Sequence, residues 1–171
     1  MSEIIVAPLT HVEPVALADR PSYIISVIGA DYMPDTPPGY DPARHIKLAM
    51  HDIVEQEFDM VPPARQDAER IIEVALSWDR AAPLLVHCWA GVSRSGAAAL
   101  MTLAALNPGR EQEAAQLMRA RSSWAMPNPL MIEHADDLLN CSGRLIGAAN
   151  GMSPANLAAQ GEPYRLPAIL D

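Results

Sequence analysis

The chain has 171 residues, of which 50% are hydrophobic and 19% charged, and this composition excludes a disordered protein and predicts one folded domain. The formal net charge is −9 and Lys47 is the single lysine, which argues against a nucleic-acid partner, because nucleic-acid-binding proteins carry a basic face. The two cysteines imply no disulfide framework, and the sequence has neither a signal-peptide pattern nor an apolar stretch of about 20 residues, so we expect a cytoplasmic protein with no membrane partner.

The first half of the chain reads as short strands separated by proline-rich connections. Residues 4–9 are predicted to form the first strand. The segment 23–28 is β-branched or apolar at nearly every position, as in a strand buried on both faces. Prolines and a glycine crowd residues 30–42, which predicts a loop. Residues 45–50 alternate loosely between polar and apolar and are predicted to form a third strand.

The second half of the chain reads as helices around one further strand. Pro62 and Pro63 suit the first turn of a helix, and apolar residues then recur at helical spacing over 68–76. The remaining predicted elements are a buried strand at 84–86, a helix at 95–106 that is apolar nearly all round, and helices at 111–121 and 128–140.

Strands that alternate with helices predict an α/β fold with a central, mostly parallel sheet of about four to five strands flanked by helices. The sequence contains no internal repeat and no linker that divides the body, so residues 1–148 are predicted to form a single domain. From 149 to 171, glycines and prolines recur without a period, which predicts an irregular C-terminal tail.

The segment 87–96 (HCWAGVSRSG) lies between the buried strand and the buried helix and carries the chemistry. A loop that enters a helix N-terminus directs backbone N–H groups at one centre, where the helix dipole also favours negative charge. Arg94 adds a planar fork that matches a phosphate. We expect Cys88, facing the same centre, to be a thiolate and therefore a nucleophile aimed at phosphorus. The expected phosphate-binding residues are Trp89, Ala90, Gly91, Val92, Ser93 and Arg94.

The residues around this loop have alternative interpretations when each is taken alone. An isolated Cys88 is typical of a buried structural thiol, and an isolated Arg94 is typical of an ion pair or a helix cap. Their combination with Ser95, which is placed to hydrogen-bond the sulfur and to ease its departure as thiolate, favours catalysis instead. His87 is expected to orient the loop by hydrogen bonds rather than to transfer protons.

The spacing of a cysteine, five residues, an arginine and a serine, with a histidine before and a glycine in the middle, resembles the signature of the cysteine-based protein tyrosine phosphatases. The size of the chain and the mid-chain position of Cys88 are similar to the compact dual-specificity branch, and the similarity covers residues 23–140. The resemblance implies a phosphatase that forms a cysteinyl-phosphate intermediate and needs no metal or other cofactor. Its substrate would be a phosphorylated protein or a small phosphoester.

The same resemblance implies a general acid, an aspartate on a loop that follows a strand upstream of the cysteine. Asp52 follows the third predicted strand and stands 36 residues before Cys88, so Asp52 is the candidate. Glu55, Glu57 and Asp59 lie on the same loop and are close alternatives. The other interpretation of Asp52 is a solvated carboxylate or the cap of a short helix.

Several further positions have two interpretations each. Asn128 is either a plain helix N-cap or, as the resemblance implies, a neighbour of the phosphate-binding loop. Trp89 and Trp124 are either walls for an aromatic ring or core residues. Arg119 and Arg121 either contact substrate phosphates or are ordinary exposed helix residues. Cys141 is expected to be structural.

Three rival functions stay open at this level. They are a phosphatase of phosphoinositides or other small phosphoesters, a non-catalytic phosphate-binding module, and a redox or sulfur-transfer protein. Phosphoinositide enzymes that share the signature usually carry lysine in the loop, whereas this loop has none. The net charge of −9 also disfavours a polyanionic membrane surface. We therefore expect a preference for aryl phosphates and phosphotyrosine, weaker activity on phosphoserine, and little activity on phosphoinositides.

Overall fold

The computed structural model describes residues 2–170, and within them the chain forms five strands and six α-helices. The strands are β1 (Glu3–Pro8), β2 (Tyr23–Ile28), β3 (His45–Ala49), β4 (Leu84–Cys88) and β5 (Tyr164–Pro167). The helices are α1 (Val12–Asp19), α2 (Arg65–Ser77), α3 (Arg94–Leu106), α4 (Glu111–Arg121), α5 (Pro129–Leu138) and α6 (Arg144–Asn150).

The sheet has the strand order β3-β2-β4-β1-β5, with every neighbouring pair parallel except β1 and β5. The predicted α/β fold with a mostly parallel sheet is therefore confirmed. From β3, at one edge of the sheet, the chain returns to β4, which lies between β2 and β1. The carboxyl ends of β2, β4 and β1 therefore lie next to the start of the loop that follows Cys88. Ligands of open α/β sheets bind at such an edge.

The two faces of the sheet are covered unequally. One face packs Ile25 and Val86 against the helices of the second half of the chain. On the other face, Ile24 and Leu85 pack against the single helix α1 and its buried Val12. Strands buried on both faces need continuous apolar runs, which explains why β2 and β4 were recognisable in the sequence. Helix α3 is buried almost throughout and lies in the middle of the larger core.

Helix α2 begins later than its prolines predict. Its N-cap is Ala64, whose backbone N–H donates to the Asp67 carboxylate at 2.8 Å. Pro62 and Pro63 precede the helix instead of forming its first turn. The residue before a proline is biased away from helical backbone angles, so consecutive prolines favour an extended approach to the cap.

The prediction of an irregular tail is wrong for Tyr164–Pro167. These four residues form β5, which pairs antiparallel with β1 so that Leu166 lies opposite Ile4. Tyr164 and Leu166 are buried, and the strand stands at the edge of the sheet, where prolines are tolerated. Helix α6 likewise runs across the predicted boundary at 148/149, and residues 151–163 connect it to β5 without a helix or strand. No described helix is both long and apolar enough to cross a bilayer.

Candidate active site

The loop between β4 and α3, residues 89–93, is held by hydrogen bonds to its carbonyl groups from outside. A trans peptide unit directs its C=O and the next N–H in opposite directions, and no described peptide bond is cis. Each carbonyl bound from outside therefore directs the following N–H toward the inside of the loop, which applies to residues 90, 91, 93 and 94. The five bonds join Leu9 N to Trp89 O at 3.2 Å, Gly161 N to Ala90 O at 2.8 Å, Met126 N to Val92 O at 3.0 Å, and both Ala97 N and Asn128 N to Ser93 O at 2.8 and 3.4 Å.

Gly91 allows the loop to pass close to the end of β1. Its φ angle is +70°, in the left-handed region, and a Cβ placed there would lie 2.8 Å from the backbone nitrogen of Pro8. Both the backbone angle and the close approach require glycine. The backbone of the adjacent strand β1 is thus what leaves no room for a side chain at position 91.

Three side chains predicted to act together are brought together at this loop. The Cys88 Sγ lies 3.1 Å from the Ser95 Oγ, and both residues are buried. Arg94 is only 8% exposed and donates from Nη1 to the carbonyl oxygen of Met50 at 2.7 Å. Its Nε is buried and has no hydrogen-bond partner among residues 2–170. One edge of the guanidinium is therefore anchored, and the other is free for a ligand.

The structure also brings Asp52 to the loop. Its Oδ1 accepts hydrogen bonds from the Ser93 hydroxyl at 2.7 Å and from the Asn128 Nδ2 at 2.9 Å. The alternative acids Glu55, Glu57 and Asp59 have no side-chain hydrogen bond or ion pair within the part of the chain described. Of the four candidate acids, Asp52 is thus the one connected to the loop.

Both interpretations of Asn128 hold at once. Its Oδ1 accepts from the Met131 backbone N–H at 3.1 Å and so caps helix α5. Its Nδ2 donates to Asp52 and, at 3.3 Å, to the carbonyl oxygen of Ile53. The N-cap therefore also ties the Asp52 loop to the start of α5.

Comparison with known proteins bears on the fold of this arrangement. No protein-family model matches the chain, and no curated protein sequence does. Among solved structures, human DUSP28 gives a TM-score of 0.55 at 16% identity, covering 77% of this chain and 82% of its own. PTPMT1 in complex with PI(5)P gives a TM-score of 0.56 at 16% identity, covering 77% of this chain and 84% of its own. Tk-PTP in its active form gives 0.50 at 17% identity, covering 78% and 87%.

The chain has the fold of the compact cysteine-based phosphatases. This result confirms, at the level of the fold, the resemblance carried by the segment 87–96. At such low identity the likeness concerns the backbone, and the chemistry of this phosphatase fold has to be argued from its own side chains.

Buried polar side chains form a hydrogen-bonded chain next to the start of this loop. The Ser26 hydroxyl oxygen on β2 lies 2.5 Å from His87 Nε2 and 2.7 Å from His45 Nε2, and His45 Nδ1 lies 3.0 Å from the Thr36 hydroxyl. A hydroxyl has one hydrogen, so Ser26 donates to one ring and accepts from the other. His87 is thus held by β2 next to Cys88, and its role in orienting the loop stays a prediction. Sequence reasoning missed Ser26 and His45, because strand pairing alone brings them to His87.

The two histidines predict a specific pH dependence of stability. Burial lowers the pKa of His45 and of His87 from 6.5 to about 4, because a charged ring loses its hydration there. Between pH 4 and pH 6.5 the unfolded chain binds more protons than the folded one. The contribution of the two neutral histidines to the free energy of unfolding is therefore complete above pH 6.5 and is lost as the pH falls toward 4. We expect the urea midpoint to decrease from about pH 6.5 to pH 5, above the range where carboxylates titrate.

A His45→Asn variant is the matched comparison for this measurement, since it removes one of the two titrating rings. Its midpoint at neutral pH will be lower, but its decrease with falling pH should be shallower than that of the wild type. A wild-type midpoint that stays level over this pH range would contradict the argument.

Two cavities open beside the loop of this phosphatase fold. The smaller, about 250 Å³, is lined by Arg94 and Asp52 and by the aromatic pair Tyr32 and Trp89, whose ring centroids lie 4.6 Å apart in an edge-on arrangement. The larger, about 820 Å³, begins at Ser93 and continues between the Asp52 loop, the start of α5 and residues 149–157. Trp89 therefore lines the smaller cavity beside Arg94 and is not a core residue.

The other residues with two interpretations have structural roles. Trp124 lines neither cavity, and its ring packs edge-on against that of Tyr164, 6.4 Å between centroids. It also fills the space beside Gly161, where a Cβ would overlap the indole. Arg119 lines the larger cavity, but its two terminal nitrogens donate to backbone carbonyl oxygens at 2.9 and 2.8 Å. Cys141 is buried and donates from Sγ to Glu111 at 3.4 Å.

Proposed function

We propose that the chain is a metal-independent phosphatase that hydrolyses phosphate monoesters through a cysteinyl-phosphate intermediate. The observation that carries the proposal is the coincidence of three features at one point. These are the buried Cys88 sulfur, a loop whose N–H groups are directed inward, and the free Nε edge of Arg94. A nucleophile beneath an anion-binding loop is suited to attack on a bound phosphate.

In the first step, the Cys88 sulfur attacks phosphorus and the bond from phosphorus to the ester oxygen breaks. The inward N–H groups and the Arg94 guanidinium hold the three remaining oxygens, whose charge they stabilise without reorganisation. Because these groups already supply positive charge, no step requires a metal ion.

Asp52 protonates the departing oxygen. The two described donors to its carboxyl group, Ser93 and Asn128, both bind Oδ1, so Oδ2 is left for the substrate. In the second step a water molecule attacks phosphorus, and Asp52 accepts a proton from that water. The Cys88 sulfur departs as thiolate, and the Ser95 hydroxyl 3.1 Å away donates a hydrogen bond to it.

The smaller cavity supports an aromatic leaving group. Tyr32 and Trp89 provide apolar ring surfaces beside Arg94, and such contacts add to the binding of an aryl ester but not to that of a serine ester. The substrate class we propose is phosphotyrosine in a protein, with weaker activity on phosphoserine. The PTPMT1 structure contains PI(5)P, and the present loop offers such a headgroup no lysine.

The test is kcat/KM on an aryl phosphate, a phosphotyrosine peptide, a phosphoserine peptide and a soluble phosphoinositide, each with and without a chelator. We expect kcat/KM for the two aromatic esters to exceed that for the phosphoserine peptide by about tenfold or more, because apolar contacts to a substrate discriminate by about this factor. The chelator should have no effect. A clear preference for the phosphoinositide would overturn the substrate class. Hydrolysis that the chelator abolishes would overturn the mechanism.

A further inference from the structure

The segment that follows β3, residues 52–61, exposes large apolar side chains to solvent; we name it the acidic loop. Phe58 is 93% exposed, and Val54, Met60 and Val61 are also exposed. Apolar side chains grouped at one surface usually mark a contact with another molecule. The acidic loop is therefore a candidate contact surface.

The acidic loop has a defined shape. At its base, the His51 N–H donates to the carbonyl oxygen of Val61 at 2.7 Å, and the Val61 N–H donates to His51 Nδ1 at 2.9 Å. Inside it, the Gln56 side chain donates to the carbonyl oxygens of Glu57 and Met60 at 2.9 and 2.8 Å. The carbonyl groups of Glu57, Met60 and Val61 are thus hydrogen-bonded at the base of the loop or within it.

The charge of the acidic loop has one sign. No lysine or arginine occurs between Lys47 and Arg65, whereas Glu55, Glu57 and Asp59 alternate with the exposed apolar residues. None of these three carboxylates has a hydrogen bond or an ion pair from a side chain among the described residues. The surface therefore combines unneutralised negative charge with apolar contact area.

The acidic loop also forms part of the wall of both cavities at the phosphate-binding loop. Asp52 and Ile53 line both, Met60 lines the smaller and Glu57 the larger. The smaller cavity receives the Arg94 side chain, which is more than nine-tenths buried and whose Nε has no partner within residues 2–170. A polypeptide whose phosphate reaches Arg94 through either cavity therefore comes next to residues of the acidic loop.

We propose that the acidic loop is a docking surface for the segment of a phosphorylated polypeptide that flanks the phosphorylated residue, where that segment carries lysine or arginine next to an apolar side chain. The proposal rests on the proposed function and specifies its substrate. Charge complementarity selects this occupant, since a chain of net charge −9 with carboxylates at its site repels anionic lipid surfaces and acidic peptides. Arg119, the one cation among the described residues that line the larger cavity, is engaged by two carbonyl oxygens.

The first experiment compares three phosphotyrosine peptides that differ only in their flanks, with lysine, glutamine or glutamate at the same positions. The readout is kcat/KM for each peptide divided by kcat/KM for a small aryl phosphate, which has no flanking residues that could contact Glu55, Glu57 or Phe58. We expect the lysine peptide to exceed the glutamate peptide by about tenfold at about 0.05 M salt. The difference should shrink at about 0.5 M salt, because screening shortens the range of charge interactions.

The second experiment changes the loop. Glu55→Gln with Glu57→Gln should bring the lysine-to-glutamate preference down to about twofold. The matched control is Glu13→Gln with Glu69→Gln, which changes the net charge equally on α1 and α2 and should keep the preference. Phe58→Ala should lower kcat/KM for peptides with an apolar flank relative to kcat/KM for the aryl phosphate. Leu76→Ala, which truncates another exposed apolar side chain, on α2, should leave this ratio unchanged.

The outcomes separate the two proposals. If the aryl phosphate is not hydrolysed, the proposed function fails. If the aryl phosphate is hydrolysed but the three peptides are equivalent, or if both charge variants behave alike, the docking surface is overturned. Binding of the protein to neutral phosphatidylcholine vesicles that Phe58→Ala abolishes would assign the surface to lipid and would also overturn it.

Discussion

Replacing Cys88 with serine is expected to abolish phosphate-ester hydrolysis while the binding of inorganic phosphate persists. The serine hydroxyl is not ionised near neutral pH and cannot replace the sulfur as nucleophile, so we expect a loss in kcat of about 10⁴-fold or more. The binding site survives, because it consists of backbone N–H groups and Arg94, which the substitution leaves unchanged. Steady-state kinetics on an aryl phosphate and calorimetric titration with phosphate measure the two effects.

The matched control is Cys141→Ser. Cys141 is also buried, but its sulfur contacts Glu111 and not the phosphate-binding loop. This variant should retain catalysis even if it is less stable. Turnover by Cys88→Ser within about tenfold of the wild type would exclude the covalent mechanism. Loss of phosphate binding in a folded Cys88→Ser protein would show that the loop needs the sulfur to keep its shape.

Replacing Asp52 with asparagine is expected to slow the hydrolysis of esters with poor leaving groups far more than that of activated ones. An alkoxide or phenoxide needs a proton as it departs, and loss of a general acid costs about 10²–10⁴ in rate. A nitrophenolate departs unprotonated and should be affected little. The amide oxygen of the introduced asparagine can still accept from Ser93 and Asn128, so the change removes the acid and keeps the loop contacts.

Asp59→Asn is the control for the Asp52 substitution. Asp59 is exposed on the same loop with φ of +56°, a backbone angle that asparagine adopts more readily than most residues. Kinetics across a series of leaving groups should show a rate that falls more steeply with poorer leaving groups in Asp52→Asn than in the wild type. Asp59→Asn should show the wild-type dependence. The reverse pattern would assign the proton donor to Asp59.

Short-range features of the sequence predicted the centre of this molecule. Strand β2 occupies the predicted residues, because a strand buried on both faces leaves a continuous apolar signal. Cys88, Arg94 and Ser95 fall within eight consecutive residues, so a local pattern was enough to group them, although long-range bonds hold the loop that joins them.

Long-range contacts account for what the sequence did not predict. Ser26 meets His87 only through the register of β2 against β4, and no local pattern marks it. Strand β5 has four residues, with one proline before it and another at its end, and is too short for its alternation to stand out. Asn128 was recognisable as a cap, but its second bond, to Asp52, joins residues 76 positions apart.

The bond from the Gly161 N–H to the Ala90 carbonyl oxygen bears on when the protein matures during translation. Cys88, Arg94 and Asp52 are synthesised long before Gly161 and the strand that follows it, which aligns with β1. A nascent chain therefore carries Cys88 while the peptide between residues 90 and 91 still lacks this bond. This one bond to the loop therefore forms only after residue 161 has left the ribosome, later than the bond from Leu9 N to Trp89 O can form.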